Sequence, residues 1–128
     1  MKPEFSIDVD ISRSLVRITM SGFFEPEDIR RFVAARDLKH RQLTCARNEH
    51  LTLVDIRGMH IQSQESVGQF AKLLANPQFA SRCIAFVVTQ SLARMQIQRA
   101  AARRGAGFFT DDFAAAEAWL LADQISEA

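Results

Sequence analysis

The stretch LTLVDIRGMHIQSQESVG, residues 51–68, decides how this chain is read. Its opening, LTLVDI (51–56), is a strongly apolar run with Asp55 near its end, the pattern of a central strand buried on both faces. A short polar loop follows. Then Val67, Phe70, Ala71 and Leu74 recur at helical spacing and define one buried face. Ser63 suits the helix N-cap, and Glu65 sits in the first turn, where negative charge is favoured. Asn76-Pro77 closes the helix, because proline disfavours helical angles at the residue before it. A second apolar run, CIAFVV (83–88), is again a buried strand. Strand, helix and strand in this order predict two parallel neighbours in the middle of one sheet.

The pattern extends in both directions. FSIDV (5–9) and LVRITM (15–20) alternate apolar and polar residues, and DISRS between them supplies turn residues, so a hairpin is expected. Gly22 breaks the second strand. Pro26 with Glu25, Glu27 and Asp28 marks a helix start. Ile29, Phe32 and Val33 form that helix's face, which fades by Gln42 and leaves TCARNE as a loop. Beyond Val88, SLARMQIQRAAARRGAG predicts a third helix stopping at Gly105. Phe108 and Phe109 suit a short last strand. Thr110 is expected to cap DDFAAAEAWLLAD, with Phe113, Ala116 and Leu120 inward. The order is β-β-α-β-α-β-α-β-α. It predicts a single α/β domain over residues 1–128, with an ordered core over 4–123 and a mixed sheet led by a β-hairpin.

Composition excludes several classes. The 128 residues are 48% hydrophobic and 24% charged, the balance of an ordinary globular domain. The formal net charge is +1, which gives no global field toward nucleic acid or membranes. The basic clusters RDLKHRQ (36–42) and Arg94, Arg99, Arg103 and Arg104 read as solvated faces. Cys45 and Cys83 lack metal or redox spacing, and a reduced, cytoplasmic setting is expected. MKPEFSIDVD has no apolar signal core, and no run reaches membrane-spanning length. His40, His50 and His60 share no helix-spaced face with carboxylates, so no metal or cofactor is expected.

MSGFFEPEDI, LTLVDIRGMHIQSQES and FTDDFAAAEAWL together resemble the STAS domains, and more closely their SpoIIAA-like relatives of unassigned role. The resemblance spans nearly the whole chain. It implies a cytoplasmic regulatory module that binds a protein partner or pairs with itself. In STAS antagonists a kinase phosphorylates a serine at a helix start, after an Asp-containing strand and a glycine loop. Asp55 and Gly58 match that pattern. By residue count Ser63 falls on the family's aspartate and Gln64 on its acceptor, so the acceptor position carries no hydroxyl. Ser63 and Ser66 are the neighbouring candidates for phosphorylation.

Asp55, Arg57 and His60 are expected at the carboxyl end of a central strand, where α/β sheets often bind ligands. Thr89, Gln90 and Ser91 follow the next strand and are expected on the same rim, with Gln64 beside them. Loop bracing by Asp55 is the plainer reading of that residue. The expected role is non-enzymatic recognition. One rival, from relatives grouped with Sec14-type lipid-binding domains, is a carrier or sensor of a small apolar ligand. Another is a small hydrolase using Asp55, His60 and Ser91, although no G-x-S-x-G elbow is present.

Overall fold

The computed structural model describes residues 2–76, 80–101 and 106–126. Five strands form one sheet in the order β1-β2-β3-β4-β5. These are β1 (Glu4–Asp10), β2 (Leu15–Gly22), β3 (Leu51–Met59), β4 (Cys83–Val88) and β5 (Gly107–Thr110). The helices are α1 (Pro26–His40), α2 (Gln64–Ala75), α3 (Leu92–Ala100) and α4 (Phe113–Ser126). The expected element order is the observed one.

β1 and β2 pair antiparallel, with Ile7 opposite Ile18. A 3₁₀ turn over Ile11–Arg13 joins them, and Ser14 adopts a left-handed φ of 51° to re-enter the sheet. The remaining pairs are parallel. Val54 lies between Ile18 of β2 and Phe86 of β4, so the two apolar runs are adjacent and codirectional at the centre of the sheet.

From β2 onward the chain always steps across the sheet in one direction. Right-handed crossovers therefore place α1, α2 and α3 on the same face. Val54, Ile56, Phe86 and Val88 point to that face and pack with Phe24, Phe32 and Phe70. Leu51, Leu53, Ala85 and Val87 point to the other face, under Ala116 and Leu120 of α4. Both faces of β3 and β4 are covered, which is why their sequences read as continuous rather than alternating apolar runs. Arg17 of β2 fastens α4 to the sheet through Glu117 at 2.7 Å.

Two expectations are corrected. Thr110 does not cap α4: it is the last residue of β5, and Asp112 takes the cap role by accepting the Ala115 N–H at 2.9 Å. Asp112 immediately precedes the helix, and its carboxylate reaches a free amide of the first turn that Thr110 is too far away to serve. The stretch RDLKHRQ is not wholly solvated either, since Arg36 is only 9% exposed. It belongs to the inward face of α1, four residues beyond buried Phe32. Gly105, Arg103, Arg104 and Pro77, to which helix ends or cationic faces were assigned, lie outside the described residues.

Candidate functional site

β3 delivers the predicted rim. Asp55 and Arg57 are two apart on a strand and so emerge on one face. Arg57 donates from Nε to Asp55 Oδ1 at 3.0 Å and from Nη2 to Oδ2 at 2.8 Å. The Arg57 backbone N–H adds a third bond to Oδ1 at 3.1 Å. Partial burial pushes the Asp55 carboxyl upward, but the Arg57 hydrogen bonds and charge outweigh it and hold the group below its ordinary value. Asp55 is thus a brace that fixes an exposed guanidinium.

The loop after β3 is organised by a residue that the sequence reading passed over. Gln62 is 7% exposed. Its Oε1 accepts the Phe24 N–H at 2.8 Å, and its Nε2 donates to the carbonyls of Gly22 at 3.0 Å and His60 at 2.5 Å. Its own N–H donates to Gln96 Oε1 at 2.7 Å, while Gln96 Nε2 donates back to the Gln62 carbonyl at 2.8 Å. One amide side chain therefore ties the β2–α1 loop to the β3–α2 loop, and its main chain ties both to α3. The only sequence signal was a glutamine between Ile61 and a helix cap; apart from the His60 carbonyl, its partners lie 34 to 40 positions away.

The two candidate hydroxyls separate. Ser63 is the N-cap of α2, accepts the Ser66 N–H at 3.1 Å, and is half-buried. Ser66 is fully enclosed, and its hydroxyl donates to the Phe24 carbonyl at 2.6 Å. Of the two candidate hydroxyls, that of Ser66 is enclosed and that of Ser63 is half-buried. Gln64, at the acceptor position of the STAS pattern, is the exposed first residue of α2.

The rim does not assemble a triad. His60 is exposed, and its backbone N–H donates to the Gly22 carbonyl at 3.1 Å. Ser91 caps α3 by accepting the Arg94 N–H at 3.3 Å and also accepts from the Thr89 hydroxyl at 3.3 Å. Asp55 and Ser91 thus bond other groups, and among the described residues no hydrogen bond links the Asp55, His60 and Ser91 side chains to one another. Gln90 is exposed beside them. Among the described residues, no group of three or more His, Cys, Asp or Glu side chains is placed to hold a metal ion.

A second feature lies inside the three-helix face. A cavity of about 80 Å³ runs beneath α1 and α2. Apolar walls come from Met20, Phe32, Val54, Met59, Phe70 and Leu74. Arg36, His40, Thr52 and Ser81 also line it. Thr52 is the second residue of β3, so this polar end lies near the amino ends of the parallel strands, while the apolar wall runs along the strand to Met59.

This sheet order, with three helices on one face and one on the other, recurs in a solved structure. It is that of an uncharacterised DUF3478-family protein from Shewanella loihica PV-4, described as having a SpoIIAA-like fold. The two chains superpose with a TM-score of 0.69 at 17% identity, over 94% of this chain and 96% of the other. The fold is SpoIIAA-like. No family model and no curated protein matches the sequence. At this identity the SpoIIAA-like likeness concerns the path of the backbone. The architecture implied by MSGFFEPEDI and LTLVDIRGMHIQSQES is the one observed. Within the SpoIIAA-like frame the rim sits at the start of α2, and the cavity sits under α1 and α2. Among the described residues no helix is long and apolar enough to cross a membrane.

Proposed function

We propose that this SpoIIAA-like chain is a non-enzymatic protein-interaction module whose working surface is the rim from Arg57 to Gln64, flanked by Thr89 and Ser91. One observation carries the reading: buried Gln62 pins the loop from both sides, so the exposed His60, Ile61 and Gln64 around it are held in place. A surface ordered before binding loses less entropy on association. Ile61, 53% exposed, offers an apolar contact, and Arg57, fixed by Asp55, offers a directed cation beside it. The commitment of Asp55 to Arg57 and of Ser91 to the α3 cap favours recognition over hydrolysis. A modification that tunes the surface would fall on Ser63, where a phosphate meets the favourable end of α2. Cytoplasmic residence suits Cys45 and Cys83, which are not joined in a disulfide.

The test is affinity capture from native lysate with wild type and an Arg57→Ala/His60→Ala variant, with light scattering on both to detect self-pairing. The variant is expected to lose a protein that wild type retains, or to shift from dimer to monomer. Identical captured proteins together with an identical mass would refute the surface.

A further inference from the structure

β1 is an edge of the sheet, and among the described residues no strand pairs with its outer side. An antiparallel strand turns part of its main-chain N–H and C=O groups toward its neighbour and the rest away. The outward groups along Glu4–Asp10 are a template for a further strand. Proteins blunt such edges with proline, lysine, a bulge or short length. β1 uses none of these. Its seven residues include no proline or lysine, Lys2 and Pro3 stand before it, and it pairs with β2 without a register shift. The two sides of β1 differ in chemistry. Phe5, Ile7 and Val9 face the three helices, where the Phe5 ring meets Phe32 of α1 edge-on at 5.4 Å. Phe5 is still 38% exposed, and Ile7 and Val9 are half-buried. Glu4, Ser6, Asp8 and Asp10 take the opposite side. Arg17 reaches Asp8 at 3.6 Å and Asp10 at 3.5 Å, but it lies closer to Glu117, at 2.7 Å, and the Asp8 side chain remains 77% exposed. Arg13 approaches Asp10 at 3.9 Å. Glu4, Asp8, Asp10 and Glu117 outnumber Arg13 and Arg17, so this side of the edge is acidic.

We propose that β1 is a docking edge for an extended segment of a partner protein in which apolar residues alternate with lysine or arginine. The segment's main chain continues the sheet, and pairing of this kind supplies affinity while alternate side chains supply specificity. Its apolar side chains lie beside Phe5, Ile7 and Val9 and complete their burial. Its cations lie beside Glu4 and Asp8, where cross-strand pairs of opposite charge are favourable. A second copy of this chain fits the edge badly. Antiparallel pairing of two β1 strands about Ile7 sets Glu4 opposite Asp10, and like charges directly opposite are destabilising. The edge is separate from the rim, since β2 stands between β1 and β3. The two surfaces are therefore tested independently.

The experiment titrates the intact, nitrogen-15-labelled chain with the end-blocked peptide Lys-Val-Lys-Ile-Lys-Val-Lys, and with its counterpart carrying glutamate in place of each lysine. The basic peptide is expected to bind saturably, to move the amides of Glu4–Asp10 and slow the hydrogen exchange of the outward ones, and to leave the amides of residues 60–64 in place. The acidic peptide is expected to bind at least about tenfold more weakly, through the reversed sign of the cross-strand pairs. The formal net charge of the protein is +1, so attraction to the molecule as a whole does not account for a preference for the basic peptide. A Glu4→Lys/Asp8→Lys variant, altered at two exposed positions, is expected to hold the acidic peptide more tightly than the basic one. The proposal is overturned if the basic peptide leaves the β1 amides unmoved, if the acidic peptide binds wild type as tightly, or if the folded variant keeps the wild-type preference. Protection of the β1 amides that grows with protein concentration, without peptide, would also overturn it, because a second copy would then occupy the edge. Should the variant fail to fold, the wild-type comparison of the two peptides decides alone.

Discussion

Gln62 and Gln96 clasp each other through two hydrogen bonds, main-chain N–H to side-chain oxygen at 2.7 Å and side-chain nitrogen to main-chain carbonyl at 2.8 Å. The clasp joins a loop to a helix 34 residues away. The Gln62 side chain simultaneously serves the Phe24 N–H and the Gly22 carbonyl, so the two residues differ in what their removal exposes.

Gln62→Ala strands a buried donor and a buried acceptor. It is expected to destabilise the fold by about 2–4 kcal/mol, because each unsatisfied group costs its desolvation. Gln96→Ala loses only the clasp and should cost about 1 kcal/mol. Urea unfolding of both variants is the measurement. Equal losses would show that the Phe24 and Gly22 bonds contribute nothing separate.

Ser63 and Ser66 should respond oppositely to aspartate. Ser63→Asp keeps an N-cap acceptor at a half-buried position and is expected to change stability by less than about 0.5 kcal/mol. Ser66→Asp places a carboxylate where no solvent reaches and beside the Phe24 carbonyl, so a loss above about 3 kcal/mol is expected. Thermal melts of the two proteins would contradict this account if they coincided.

Gly22 and Gly68 make a contrasting pair. At Gly22 φ is +88°, and a Cβ would lie 2.3 Å from the Lys2 carbonyl oxygen, so Gly22→Ala is expected to cost about 2 kcal/mol or more. Gly68 sits inside α2 with nothing within 4 Å of its would-be Cβ. Gly68→Ala should instead stabilise by about 0.5–1 kcal/mol through helix propensity and reduced unfolded-chain entropy. Denaturant midpoints moving in the same direction for both would be incompatible with this reading.

The Asp55–Arg57 pair sets part of the acid limb. The folded carboxyl titrates below the ordinary 3.8, so its contribution is fully present above that pH and is lost as pH falls through the folded value. Arg57→Ala removes the lowering influence and leaves partial burial, which raises the carboxyl. Its acid-unfolding midpoint is therefore expected at higher pH than wild type, with little difference near neutrality beyond the lost pair itself. An unchanged midpoint by circular dichroism would show that the pair exerts no linkage.

His40 adds a second limb at milder pH. Burial, reinforced by the Arg36 charge, holds the imidazole below its ordinary 6.5, against a smaller opposing pull from Asp37. The unfolded chain thus takes up this proton first, and stability is expected to decline as pH drops below 6.5 until the folded group protonates. His40→Gln should flatten that part of the profile. A profile as steep as wild type between neutrality and the acid limb would assign the slope to another group.

The one-dimensional pattern determined the elements because burial leaves a periodic mark. LTLVDI and CIAFVV are apolar on both sides since both faces of β3 and β4 are covered, and FSIDV alternates since an edge strand buries only one. Ser63 was readable as a cap because its partner, the Ser66 N–H, is three residues away. Tertiary structure alone decided which face of α1 carries Arg36, that Ser66 is enclosed, and that Gln62 binds Phe24 and Gln96. Those outcomes depend on segments brought together by the crossovers, and an amide or a hydroxyl carries no mark of the distant group it will meet. The cavity is likewise a shortfall in packing among side chains from six elements, a property that no single stretch of sequence possesses.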